Sequence, residues 1–332
     1  MQIFRGFHHP GIARACALTI GNFDGVHRGH QAMLALLNSE ALHRGVPSCV
    51  MTFEPHPRDY FAALQCKPDL APARVATLRD KLTELARCGV EQCVVLKFDA
   101  RLSSLVPDAF IDQVLVQALG VKYVLVGDDF RFGARRTGDY AMLDAAAGGK
   151  GFDVARMNSY QVHGLRVSSS AVRQALGQGR MDDVTALLGR PYSISGHVVH
   201  GRKLGRELGF RTLNLRFSHW KPAASGIFAV AVRGLSDSPL AGVANLGIRP
   251  SLDAGDVNGG RVLLETHCLE WPERMAPEEG YGKIIRVELL HKLHDELRYD
   301  GLDALKTGIR KDCDDARAFF ASTRRQTTRD RI

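Results

Sequence analysis

The chain has 332 residues, enough for two domains that each bury a core. No apolar run reaches the ~18 residues needed to cross a bilayer, and the first six residues lack the apolar stretch of a secretory leader, so no membrane partner and a cytoplasmic location are expected. The net charge of +8 favours anionic ligands, and the seven cysteines, scattered without a Cys-x-x-Cys pair, fit thiols in a reducing compartment. Part of the charge lies in the tail 323–331, expected to be unstructured. No basic helix interleaved with aromatics appears, so nucleic acid is not an expected partner.

From residue 1 to about 185, short apolar runs alternate with helical patterns. Strands are predicted at 15–20, 47–53, 92–98 and 123–127, and helices at 30–44, 75–88, 107–119 and 140–148. In the first helix the apolar positions are Met33, Leu34, Leu36 and Leu37. This order predicts a parallel sheet with helices on both faces. Ligands bind such sheets beyond the carboxyl ends of the strands. Three segments follow strands and are expected to converge on one cleft: the turn from Gly21, the segment Thr52 to Pro57, and the segment Val126 to Phe130.

The turn reads Gly21-Asn22-Phe23-Asp24-Gly25-Val26-His27-Arg28-Gly29-His30. A strand, a glycine turn and a helix start together present backbone N–H groups and a helix dipole to a phosphate. His27 and His30 sit where imidazoles can donate to phosphate oxygens as charge builds. Two other readings stay open: a histidine pair at this spacing could ligate zinc, or could cap the helix.

A serine run, Ser168-Ser169-Ser170, opens a helix at 171–176 that holds Arg173. By itself the run reads as a cap, with phosphate donation as the other reading. His56, between Pro55 and Pro57, reads equally as a rigid surface loop. A helix at 181–188 ends at Gly189-Arg190-Pro191, and there the pattern changes. The break predicts two domains, 1–185 and 186–332. In the second, alternating strands are predicted at 192–199, 227–232, 242–245, 262–269 and 284–290, and a shorter one through 212–214. They read as a small antiparallel barrel. A closing helix at 301–320 has Leu302, Leu305, Ile309, Phe319 and Phe320 as its apolar stripe.

Within the barrel region a glycine-basic loop contains Gly201, Gly205 and Arg206, which suits a triphosphate or a basic hairpin turn. Thr212 and Asn214 project from one face of a strand and offer neutral oxygens to a hard cation, although two polar residues by themselves read more readily as structural. Glu265 is the only carboxylate in an apolar strand. Burial would be costly unless it is paired or functional, so a structural pair and a general base are equal readings.

The HxGH segment resembles the signature of the nucleotidyltransferase superfamily, and the chain as a whole resembles the bacterial bifunctional riboflavin kinases and FAD synthetases. The likeness spans about 1–320 in at least six ordered blocks. It implies a Rossmann-like nucleotidyltransferase domain at 1–185 and a riboflavin kinase barrel with a terminal helix at 186–332. The implied reactions phosphorylate riboflavin to FMN and adenylylate FMN to FAD, both with ATP and Mg2+. For the adenylyltransferase the resemblance implies nucleotide contacts at Gly21, Phe23, Asp24, His27 and His30, triphosphate contacts at Ser169, Ser170 and Arg173, and flavin-phosphate contacts at Pro55 and His56. Asp129 stands where the family often has Asn, near adenine or ribose. For the kinase it implies ATP contacts at Gly201, Gly205, Arg206, Thr212, Asn214 and Asn245, metal binding at Thr212 and Asn214, and Glu265 as the base that takes the riboflavin hydroxyl proton. Arg211 and Leu213 replace the family's Pro and Ala, and His294 replaces an Arg. The alternatives are an enzyme with only the adenylyltransferase site active, or a non-catalytic flavin or nucleotide binder. Whether the chain acts as a monomer or a weak homo-oligomer is left open.

Overall fold

The structure is a computed structural model and describes residues 1–158, 160–162, 165–201, 209–216, 221–248, 262–273 and 275–329. Packing divides the chain into two units, Met1–Pro72 with Lys81–Ser168, and Ala73–Asp80 with Ser169–Ile332.

The first unit is built on six parallel strands: β1 (Gln2–Arg5), β2 (Ala17–Ile20), β3 (Ser48–Glu54), β4 (Gln92–Lys97), β5 (Tyr123–Gly127) and β6 (Asp153–Met157), in the order β1-β4-β3-β2-β5-β6. β2 is buried along its length, and β3 and β4 everywhere but their carboxyl ends. Strands covered on both faces are apolar in both directions, which is why they stand out as apolar runs in the sequence. The edge strands β1 and β6 are largely exposed or half-buried and carry no such run, and sequence patterning missed both.

Around the sheet lie α1 (Arg28–Arg44), α2 (Pro57–Leu64), α3 (Leu78–Arg87), α4 (Ala100–Ser103), α5 (Pro107–Ala109) and α6 (Tyr140–Lys150). α5 runs on into a π-helical stretch, Phe110–Ala118, and the two fill the predicted 107–119 helix. In α1, Leu34 and Leu37 are buried while Leu36 is 50% exposed, so the predicted apolar face is only partly the packed one. A short ribbon, β7 (Gln161–Val162) with β8 (Leu165–Arg166), completes this unit. β3 and β4 lie on one side of β2, with β5 and β6 on the other. The reversal between β2 and β5 is the position where doubly wound sheets open a crevice.

The second unit is a closed antiparallel barrel: β9 (Tyr192–Val199), β10 (Leu213–Arg216), β11 (Gly226–Arg233), β12 (Leu240–Ile248), β13 (Val262–Cys268) and β14 (Ile284–His294). Closure comes from β9, which pairs with both β10 and β14. Leu215, Phe228, Val230, Leu264, Val287 and Leu289 have no exposed surface. Each such side chain contributes about 1.5–3 kcal/mol of burial. α7 (Ser169–Gly177) and α8 (Met181–Leu188) precede the barrel, and α9 (Leu302–Arg329) follows it.

α9 packs on the barrel through Cys313, Ala316, Ile309, Phe319 and Phe320. Leu302, expected in this stripe, is 56% exposed. Small side chains at 313 and 316 let the helix approach the barrel closely, and apolar counting overlooked them. α9 also reaches Arg329, so most of the tail expected to be unstructured belongs to the helix. Among the described residues no helix is long and apolar enough to cross a membrane.

The segment Ala73–Asp80 counts with the barrel although it lies in the first half of the sequence. Arg74 forms a β-bridge with Pro222. The buried Asp80 carboxylate accepts from the Ser195 backbone N–H at 3.2 Å and from the Ser195 hydroxyl at 2.5 Å. The predicted boundary at 185/186 thus differs from the division by packing, which assigns α7, α8 and this segment to the barrel unit.

Candidate functional site

Two groups of side chains carry the chemistry that the sequence singles out, one in each unit. In the first unit the chain leaves β2 at Gly21 and enters α1 at His27. His27 is extended (φ −70°, ψ 169°) and caps the helix, its Nδ1 accepting the His30 backbone N–H at 3.3 Å. The capping reading therefore describes what Nδ1 does. In the neutral ring the proton then sits on Nε2. The two imidazoles stack with centroids 3.6 Å apart and planes 12° apart, and Phe23 lies 4.9 Å from His30. A Cβ at Gly29 would stand 3.3 Å from the His27 ring, so only glycine allows this stack without displacement.

Phe23 and Val26 have positive φ, 48° and 42°, a conformation costing roughly 1–3 kcal/mol for such residues. Asp24, between them, is buried. The turn is held against its local preference by what surrounds it. Burial, and then the charges of His27 and Lys81, hold the His30 imidazole well below the ordinary histidine range. His30 is therefore neutral near pH 7. Its Nδ1 is buried without a hydrogen-bond partner among the described residues. No group of three or more His, Cys, Asp or Glu side chains among the described residues is placed to hold a metal ion.

The segments after β3 and β5 leave the same edge of the sheet as the glycine turn, because β3, β2 and β5 are neighbours and parallel. After β3, Pro55 is exposed, whereas His56 is buried and caps α2, its Nδ1 accepting from the Arg58 N–H at 3.1 Å. After β5, Asp129 is exposed, with Arg166 3.7 Å from it and 3.5 Å from Asp128. The extra negative charge of an Asp at this position therefore has a cation beside it. Ser169, Ser170 and Arg173 open α7, in the unit that includes the barrel. The Arg173 Nε donates to the Ala73 carbonyl at 2.6 Å.

In the barrel, register rather than sequence proximity assembles the group. Glu265 on β13 lies opposite Asn214 on β10 and opposite Asn245 on β12, so the three form one row across neighbouring strands. β13 alternates between buried and half-buried residues, and Glu265 falls on the half-buried face with Leu263 and His267. The premise of a fully buried carboxylate does not hold, because Glu265 lies on the less buried of the strand's two faces, while its chain neighbours Leu264 and Thr266 are buried on the other. Asn214 is 3% exposed, and the Oδ1 atoms of Asn214 and Asn245 are buried without hydrogen-bond partners among the described residues. Each such oxygen costs about 1–3 kcal/mol unless something satisfies it. A hard cation or a ligand donor beside Glu265 would do so, and the donor set fits Mg2+. A Cβ at Gly201 would come within 2.5 Å of Asn214 Nδ2, so glycine lets the chain close over this row. Thr212 accepts weakly from Asn214 Nδ2 through its carbonyl at 3.5 Å. Gly205 and Arg206 lie outside the described residues.

Sequence patterning missed the contribution of α9. Phe210, His267, Lys306, Arg310 and Arg317 line a cavity of about 540 Å³ beside that helix. A stripe search for apolar residues ignores its basic side chains, and nothing local in the sequence links them to β13. His294 ends β14, with Nε2 2.8 Å from Asp312 Oδ1 and Nδ1 2.6 Å from the Asp295 carbonyl. Burial lowers its pKa, but these hydrogen bonds and the Asp312 charge outweigh that and leave it raised.

Both groups suit the transfer of a phosphate-bearing group, which places the chain among nucleotide-using transferases. The FAD synthetase family model matches residues 9–171, and the riboflavin kinase model matches residues 188–320. The bifunctional riboflavin kinase/FMN adenylyltransferase of Escherichia coli K12 is 44% identical over 326 residues, covering 98% of this chain and 99% of the relative. That of Haemophilus influenzae is 42% identical, covering 97% and 100%. That of Pseudomonas fluorescens is 43% identical, covering 97% and 98%. A crystal structure described as a macrolide-efflux protein from Streptococcus pneumoniae superposes with a TM-score of 0.73 at 24% identity, covering 96% of this chain and 99% of that one, a likeness of fold alone. The chain belongs to the family of bifunctional riboflavin kinases/FMN adenylyltransferases. Its substrates are riboflavin, FMN and ATP, and its products include FMN and FAD.

Proposed function

We propose that the two activities divide between residues 1–185, which adenylylate FMN, and residues 186–332, which phosphorylate riboflavin. In adenylyl transfer the FMN phosphate attacks the α-phosphorus of ATP and pyrophosphate leaves. Gly21, Phe23, Asp24 and Asp129 hold the nucleotide, and Pro55 and His56 flank the flavin phosphate. His27 donates through Nε2 and His30 as a neutral imidazole, meeting charge as it grows on the phosphate oxygens. Ser169, Ser170 and Arg173 hold the triphosphate. No covalent intermediate is required, so positioning and charge stabilisation carry the rate.

In the kinase half, Glu265 takes the proton from the riboflavin 5′-hydroxyl as that oxygen attacks the γ-phosphorus of ATP, and ADP leaves as the bond from that phosphorus to the β,γ-bridging oxygen breaks. Gly201, Gly205, Arg206 and Asn245 bind ATP. Thr212 and Asn214 would hold Mg2+, which when bound neutralises phosphate charge. The observation that carries this reading is the row Asn214–Glu265–Asn245, with an unsatisfied amide oxygen on each side of the carboxylate. A cytoplasmic location is supported by seven cysteines, none of them in a disulfide. The test is to follow the two half-reactions separately, supplying riboflavin or FMN with ATP, with and without Mg2+, and identifying the flavins formed. Kinase turnover unaffected by chelation would remove the metal from the account.

A further inference from the structure

Lys81 on α3 is only 1% exposed. A buried ammonium costs several kcal/mol after relaxation, so it must be met by polar atoms. One of these is the Thr52 hydroxyl on β3, which accepts from Lys81 Nζ at 3.2 Å. The same hydroxyl donates to the Asn22 carbonyl at 3.3 Å. Asn22 lies within the glycine turn, between Gly21 and the strained Phe23. A threonine hydroxyl has one proton and two acceptor lone pairs. Lys81 can only donate, so it occupies the acceptor side and commits the proton to Asn22. The cation also reaches the imidazoles, since its charge is one of those that depress His30. None of the roles assigned to the turn uses Lys81 or the Thr52 side chain.

We propose that Lys81 is a positioning residue for adenylyl transfer, fixing the glycine turn through the Thr52 hydroxyl. The inference rests on the reading that this turn binds ATP. Steady-state kinetics of both half-reactions in the full chain test it, with Lys81→Met, Thr52→Val and the double variant. In each single variant kcat/KM for ATP in FAD synthesis falls by up to ~10²-fold, the scale of a misplaced binding element, while KM for FMN and riboflavin phosphorylation hold. The double variant is no worse than the poorer single one, as for two residues acting through one path. Additive losses in the double variant, an unchanged FAD rate in either single variant, or an equal loss of riboflavin phosphorylation would each overturn the proposal. Thr52→Val, which removes only the hydroxyl relay, decides the matter if Lys81→Met fails to fold. Normal FAD synthesis by His30→Ala would instead withdraw the reading of the turn, so the two failures are distinguishable.

Discussion

In the first unit the imidazole pair and its glycine turn lie within residues 21–30, whereas in the barrel Asn214, Asn245 and Glu265 come from three strands and meet only through their register. The turn has local devices, a histidine cap and a glycine that admits a ring stack, and its two residues at positive φ are held by the surrounding structure. The barrel row has no local support of this kind. A slip of one residue in β13 would turn Glu265 to the opposite face and bring Thr266 in its place. The first group should therefore respond chiefly to changes within it and at Thr52 and Lys81, which brace it, while the second should respond to changes throughout the strands and loops that hold it.

The sharpest separation comes from Glu265→Gln. The amide keeps the shape but cannot take the hydroxyl proton, so riboflavin phosphorylation should fall ~10²- to 10⁴-fold, with FMN still converted to FAD. A kinase rate within a few-fold of wild type would make Glu265 structural. His30→Ala should do the reverse, lowering FAD formation by roughly 10²–10³-fold and sparing riboflavin phosphorylation. Equal loss of both reactions would erase the contrast between the units.

Gly201→Ala probes the register-built row without touching a polar side chain. Its new methyl would displace Asn214, and kinase turnover should fall by up to about 10²-fold with FAD formation unaffected. Unchanged kinase kinetics would show that the position of Asn214 is not critical. A smaller effect is expected from Asp80→Ala, which strips the acceptor from Ser195 on β9. The barrel should lose ~1–3 kcal/mol, read as a lower melting temperature. A fragment of residues 169–332, which keeps α7 and α8, should likewise fold yet melt below the intact chain, because it lacks Ala73–Asp80. A fragment as stable as the intact chain would remove that segment from the barrel's support.

The smallest effect concerns His294. Asp312 and the Asp295 carbonyl raise its pKa in the folded protein, against burial and the charge of Lys311. A raised folded pKa gives stability that is complete below the unfolded value of ~6.5 and lost as pH rises through the folded value. The melting difference between wild type and Asp312→Asn should therefore be widest near pH ~6 and narrow above it, by roughly 1 kcal/mol for a largely buried pair that keeps some access to solvent. A difference that does not vary with pH would take the His294 charge out of the balance.

By itself the sequence determined the alternation of elements in the first half, the strands of the barrel, and the turn from Gly21 to His30. Each depends on neighbours within a few residues: apolar runs, helical spacing, or glycines before a helix start. Only the tertiary structure decided which chain edges become β1 and β6, since edge strands need no continuous apolar run. It also decided that Cys313 and Ala316, rather than Leu302, seat α9 on the barrel. The direction of Glu265, its two asparagine neighbours and the attachment of Ala73–Asp80 to the barrel unit were likewise set there. Periodicity states that a face is buried but not what lies across from it. Strand register and long-range hydrogen bonds are settled when the whole barrel closes, by which elements meet and which polar atoms find partners.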